Sequence, residues 1–165
     1  VVRLRRLPAP SNHCTMKDRH QSRILAMQAL CQLDVLGDEF LSQLDEFLAD
    51  EDPAADTQSY ARELVREIWE ARDESDAVIQ GVSEHWATRR MSTVDRNTIR
   101  VGFCELRGRR DVPAAVAINE AVEIAKKFGT VESPGFVNGV LDALRKKLET
   151  ADAPPVNESD PAAKG

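Results

Sequence analysis

The sequence predicts an all-α fold, a compact bundle of about seven helices. Three observations lead there. Each patterned segment repeats its apolar residues with the 3.6-residue period of a helix. No run alternates apolar and polar residues as a half-buried strand would. Proline, glycine and hydroxyl residues fall where helices start and stop.

The first helical segment runs from about Asp18 to Leu36, with Ala26, Ala29, Leu30 and Leu33 on one face and Gly37 placed to stop it. A short second segment carries Phe40, Leu44, Phe47 and Leu48, and the acidic stretch DEDPAAD follows. The third places Ala61, Leu64, Val65 and Ile68 together beside Trp69. Ser75 or Asp76 is the expected cap of a fourth, which carries Val78, Ile79, Val82 and Trp86. Ser92 opens the fifth: its hydroxyl can accept from the third backbone N–H, and Asp95 suits the positive helix end. The fifth stripe is Ile99, Gly102, Phe103 and Leu106. Gly102 costs about 1 kcal/mol relative to alanine in a helix interior, so close approach of a neighbouring helix is expected there. Pro113 permits the start of the sixth, with Ile118, Ala121, Val122 and Ala125 and a stop at Gly129. Ser133-Pro134 reads as a cap followed by proline at the first helical position. It opens the seventh, with Val137, Val140, Leu141, Leu144 and Leu148. Each large apolar side chain stabilises by about 1.5–3 kcal/mol when buried, against about 1–2 kcal/mol of backbone entropy per residue. The stripes meet that cost only around a shared core. Residues 1–17 read as a flexible basic arm, 18–149 as the helical domain and 150–165 as a disordered Pro, Ala and acid-rich tail. Met16 directly precedes the first patterned segment and is a candidate translation start.

The chain has 165 residues and a formal net charge of -6, which excludes nucleic-acid binding by bulk charge alone. Its charge is segregated. Residues 1–25 hold six bases and one acid, residues 34–84 three bases and 16 acids, and residues 89–110 seven bases and two acids. Two basic blocks around an acidic one suggest a polarised molecule, although a solvated helix face explains any one block. The three cysteines, Cys14, Cys31 and Cys104, form no C-x-x-C pair, which fits a reducing cytoplasm. Cys31 and Cys104 read as small core hydrophobes.

Sites of chemistry are absent from the pattern. His13, His20 and His85 are isolated from one another, and no phosphate-binding glycine loop occurs. No enzyme activity, cofactor or metal is expected. Asn119 and Asn138 sit inside helical stretches; they read as hydrogen-bonded ties between helices, with contact to a ligand or RNA at a helix end as the alternative.

Three stretches bear on identity: SRILAMQAL at 22–30, TVDRNTIRVGFCEL at 93–106, and DVP at 111–113 leading through AINEAVEIAKKFG at 117–129 to FVNGVLD at 136–142. Together they resemble the NusB family of bacterial transcription antitermination factors, from about Arg19 to Leu148. The resemblance implies two small helical sub-bundles packed together. It implies binding of the boxA element of ribosomal RNA leader transcripts as single strands, jointly with NusE, a small-subunit ribosomal protein. The bound RNA then helps RNA polymerase, within an antitermination complex, to read through terminators. It also implies site residues. The family's arginine-rich opening of the first helix corresponds to Lys17, Arg19, His20 and Arg23, with fewer arginines than usual and an added Asp18. Phe136 matches an aromatic placed near RNA at the start of the last helix, and Glu132 an acidic position beside that surface. For Phe136 a core position is the alternative. Asp95 matches an acidic position that contacts NusE. Arg96 and Arg100 follow it and could support either surface, with an intramolecular ion pair as the alternative for Arg100.

Arginine and lysine on phosphates and aromatics against unstacked bases are how single-stranded RNA is held. A chain of net charge -6 should bind RNA weakly alone and need a partner with basic surface. Two other readings stand beside this one. One is the NusB-like domain that precedes the catalytic domain of some ribosomal RNA cytosine methyltransferases, for which the sequence after the seventh helix leaves no room. The other is a protein–protein scaffold that uses the acidic 34–84 face without RNA. A homodimer that hides the RNA face is a further possibility.

Overall fold

The computed structural model describes residues 16–83, 91–109 and 111–152, Met16 and Lys17 as backbone only. Residues 1–15 of the expected arm, with His13 and Cys14, the residues His85, Trp86, Arg89, Arg90 and Arg110, and the tail beyond Asp152 lie outside the described residues, whereas Met16 and Lys17, expected in the arm, belong to the first helix. The expected helices are present, and no strand occurs among the described residues.

Helix α1 spans Met16–Leu36. Gly37 ends it with a φ of 70°, a left-handed conformation that glycine adopts without steric cost. The second segment divides into a 3-10 turn, Gly37–Ser42, and helix α2, Leu44–Glu51. Phe40 and Phe47 pack edge to face across the division, centroids 5.7 Å apart.

Helix α3, Ala55–Glu70, leads through Ala71 directly into α4, Arg72–Ser83. This corrects the expected cap: Ser75 and Asp76 lie inside α4. Ser75 is buried there, and Asp76 accepts from the guanidinium of Arg100. Trp69 fixes the 3-10 turn to α3, its indole N–H donating to Asp38 at 2.7 Å.

Helix α5, Thr93–Gly108, opens as expected, with the Ser92 hydroxyl accepting from the Asp95 N–H at 3.1 Å. A Cβ at Gly102 would lie 2.8 Å from Leu141 Cδ1 and 3.4 Å from Ala121 Cβ. The missing side chain is therefore what lets α5 seat against its neighbours.

Helices α6, Ala114–Phe128, and α7, Ser133–Asp152, complete the fold. Gly129 follows α6, but its φ is -92°. Space rather than backbone freedom requires glycine there: a Cβ would come within 2.5 Å of Ser133 Cβ. Ser133 does not cap α7 forwards. Its hydroxyl points back and accepts from the Thr130 N–H at 2.9 Å, pinning the preceding loop. Thr150 to Asp152 continue α7, beyond the expected domain end. Asn119 and Asn138 are exposed, so neither is a buried tie.

Two cores result. The first gathers Leu25, Leu30, Leu33, Leu44, Leu48 and Leu64 from α1, α2 and α3. The second gathers Ile79, Ile99, Phe103, Val137, Leu141 and Leu144 from α4 to α7. Helix α5 serves both, giving Val101 to the first and Ile99 and Phe103 to the second. It is therefore covered on more than its one apolar stripe, and Asp95, Asn97, Thr98, Arg100 and Glu105 are buried with it. A buried charge is tolerated only when paired and hydrogen-bonded. That requirement organises the polar side chains around α5.

Candidate nucleic-acid interface

The start of α1 packs on α3 and α5. Ser22, buried at the contact, lies 2.8 Å from the Asp18 carbonyl and 2.9 Å from the Thr57 carbonyl, so one hydroxyl joins α1 to α3. Arg23 is one turn of helix from Arg19 and points inward. Its Nε donates to both oxygens of Glu105, at 2.9 and 3.0 Å, and its Nη1 reaches Glu120 at 3.2 Å. Glu105 is 1% exposed and also accepts from the Tyr60 hydroxyl at 2.6 Å. Burial and the neighbouring Glu105 charge push the Tyr60 phenol well above its ordinary value, so it remains a donor.

Two guanidiniums approach the Tyr60 ring. Arg19 Cζ is 4.9 Å from its centroid and Arg109 Cζ is 4.7 Å, both within cation–π range. Arg109 is further held by Glu67 at 3.3 Å. Arg19 reaches out to Asp111 at 2.9 Å, and His20 Nδ1 meets Glu120 at 2.6 Å. Arg19 and His20 are thus brought together at the surface on a base of Tyr60, Arg23 and Glu105. Arg19, Arg23, Arg109 and His20 each have a carboxylate partner.

The other expected RNA residues fall elsewhere. Glu132 is exposed ahead of α7, which packs chiefly on α4, α5 and α6. Phe136 is 7% exposed and belongs to the second core. Arg23 and Phe136 are therefore not surface groups: one is a buried ion-pair strut, the other a core ring. Lys17 lies in the first turn of α1.

The expected partner residues surround a second polar cluster. Arg100 is buried, and its intramolecular pairing accounts for it: Nη1 donates to Asp34 at 2.9 Å, while Nε and Nη2 donate to the two oxygens of Asp76 at 2.8 and 2.5 Å. Asp34 also accepts from Asn97 at 2.9 Å and Arg96 at 3.2 Å. Burial alone would raise the Asp34 carboxyl, but hydrogen bonds from Arg100 and Asn97 and the charges of Arg100 and Arg96 outweigh it and hold the group below its ordinary value. Asp95 is buried and Arg96 half-buried. Beside them Val94 lines an open groove of about 340 Å³ with Met27, Cys31, Phe47 and Phe128. Burial raises the thiols of Cys31 and Cys104, so neither suits nucleophilic chemistry. Among the described residues, no group of three or more acids, histidines or cysteines is placed to hold a metal ion. No described helix is long and apolar enough to cross a membrane.

Tyr60, Glu105, Arg109, Asp111 and Glu120 were not singled out from sequence. Tyr60 is the single tyrosine of the chain. Glu105 falls four residues after Val101, on the side of α5 that turns to the first core rather than on the stripe containing Gly102.

The family model described as the NusB family matches residues 20–146. The chain belongs to the NusB family. It is 42% identical over 134 residues to the transcription antitermination protein NusB of Geobacter sulfurreducens, a match that covers 81% of this chain and 97% of that protein. It is 43% identical over 137 residues to the NusB of Myxococcus xanthus, covering 81% and 98%. Among solved structures, NusB of T. maritima matches with 36% identity and a TM-score of 0.68, covering 78% of this chain and 91% of that one. A NusB crystallised with NusE and double-stranded RNA matches with 27% identity and a TM-score of 0.71, covering 81% and 99%. The two sub-bundles and seven helices described above are thus the NusB fold.

Proposed function

We propose that this NusB-family chain is a transcription antitermination factor that holds boxA-type single-stranded RNA of ribosomal transcripts jointly with NusE, and so helps RNA polymerase read through terminators. Family membership supports the antitermination role. The single structural observation that carries the RNA reading is the Arg19 guanidinium and the His20 imidazole, set side by side at the half-buried start of α1 over Tyr60, Arg23 and Glu105. Lys17, in the first turn of α1, is assigned to the RNA by the family resemblance. Glu132, exposed ahead of α7, is assigned to the border of the RNA by the family resemblance alone. Arg23 and Phe136 serve as supports: Arg23 fixes the face to α5, and Phe136 seats the first turn of α7 in the second core. The reading assigns the chain no catalytic step.

NusE is assigned to the side of α5 that carries Asp95 and Arg96. The open, mainly apolar groove beside Val94 offers contact area there. A few cationic contacts on an acidic protein give weak RNA affinity that falls with salt, so the partner's basic surface is needed for tight binding.

Gel-shift titration of the full chain against boxA RNA, with and without NusE, tests this reading. Tighter binding with NusE, and preference for single-stranded over duplex RNA of the same sequence, are expected. No gain from NusE would overturn the antitermination reading, and a preference for duplex would overturn the single-strand assignment.

A further inference from the structure

Arg19 and His20, the described side chains offered to RNA, already have carboxylate partners. We propose that Asp111 and Glu120 set the RNA affinity of the α1 face, because each holds a side chain, Arg19 or His20, that an RNA phosphate must take over. This rests on the proposed RNA-binding function and adds the residues that tune it.

The two kinds of pairing on this face differ in accessibility. Arg23 and Glu105 have side chains 4% and 0% exposed, so phosphate cannot enter between them. Arg19 and Asp111 are 20% and 44% exposed, and Glu120 is 22% exposed. Pairs exposed to this degree contribute little to stability and exchange partners readily. A phosphodiester, though tetrahedral, offers a guanidinium two anionic oxygens for charge-assisted hydrogen bonds, as a carboxylate does. It therefore competes directly for the Nη1 that Asp111 accepts from.

Displacement does not release Arg19 into solvent. Its guanidinium still lies 4.9 Å from the Tyr60 centroid, and Tyr60 is itself anchored through its hydroxyl to Glu105. The cation stays placed while its acceptor changes. Glu120 Oε2 has two donors, His20 Nδ1 at 2.6 Å and Arg23 Nη1 at 3.2 Å. When phosphate takes His20, Arg23 still retains Glu120. Both carboxylates then remain next to the bound backbone and repel it. Each thus lowers affinity twice, by competing before binding and by repulsion after it.

The test is fluorescence anisotropy with labelled single-stranded boxA RNA and the full chain with NusE. Asp111→Asn is exposed and leaves the fold unstrained. It should tighten binding about threefold to tenfold, and Glu120→Gln should act in the same direction. Asp45→Asn removes an equal charge from an exposed pair that joins α2 to Arg62 on α3 and should change affinity less than twofold because solvent and salt screen it. In an Arg19→Ala background the gain from Asp111→Asn should shrink to that of the control. Wild-type binding with no gain in Asp111→Asn, or a gain that persists in full without Arg19, overturns the proposal and leaves the RNA-binding function standing. Absence of RNA binding by wild type and variants alike overturns both.

Discussion

Arg23 and Glu105 form a buried two-point pair, with Arg23 Nε 2.9 and 3.0 Å from the two Glu105 oxygens, and this pair joins the first helix to the central one. Tyr60 supplies the third hydrogen bond to the same carboxylate. Removing Arg23 leaves Glu105 buried with a charge that only Tyr60 addresses. Arg23→Ala should therefore destabilise by about 3–5 kcal/mol, and Tyr60→Phe by about 1.5–3 kcal/mol for one hydrogen bond to a charged group. Urea denaturation followed by circular dichroism measures both. Arg23→Ala with wild-type stability would show that the pair is not what holds α1.

Asp34 predicts an acid response. Its folded-state carboxyl is held below its ordinary value of 3.8. A depressed carboxyl contributes stability that is fully present above the unfolded pKa and is lost as pH falls through the folded one. The contribution is therefore complete at neutral pH and drains away below about pH 4. Asp34→Asn should be less stable than wild type at pH 7 by about 1–3 kcal/mol, with a shallower loss between pH 4 and pH 2. Denaturation midpoints across that range give the answer; parallel curves would remove Asp34 from the account.

The two close-packed glycines should respond unequally to a methyl group. At Gly102 the added Cβ meets the end of the Leu141 side chain, which can shift slightly. At Gly129 it meets Ser133 Cβ at 2.5 Å and the Ala125 carbonyl at 2.8 Å, and backbone cannot yield. Gly102→Ala should cost about 1–2 kcal/mol, overpacking offset in part by helix propensity. Gly129→Ala should cost more and should loosen the loop that leads to Glu132. Thermal melts rank the two, and a milder effect at Gly129 would contradict the packing described.

Helix existence was legible from periodicity, and Ser92, Gly37 and Gly102 were legible in their roles, because caps, left-handed stops and small-residue contacts follow from local chemistry. The α3–α4 junction was not. Ser75 and Asp76 are good caps by composition, but Arg100, distant in sequence, claims Asp76, and α4 starts earlier. The site was only half legible. Arg19 and His20 could be placed from the family pattern, whereas the inward direction of Arg23 depends on Glu105 and Tyr60, which reach it from other helices. A phenylalanine at the start of a helix carries no sign of whether its ring faces core or solvent. The second core decides that for Phe136, so Phe136→Ala must be read with a stability control, since truncating a buried phenylalanine costs about 3–5 kcal/mol.

The central claim is that transcript RNA is held by the cations at the start of α1. Its most direct test is the salt dependence of boxA RNA binding by Arg19→Ala compared with wild type, each with NusE present. Loss of one phosphate contact should weaken binding and reduce the log–log salt slope by about 0.7. An unchanged affinity with an unchanged slope would place the RNA on a different surface.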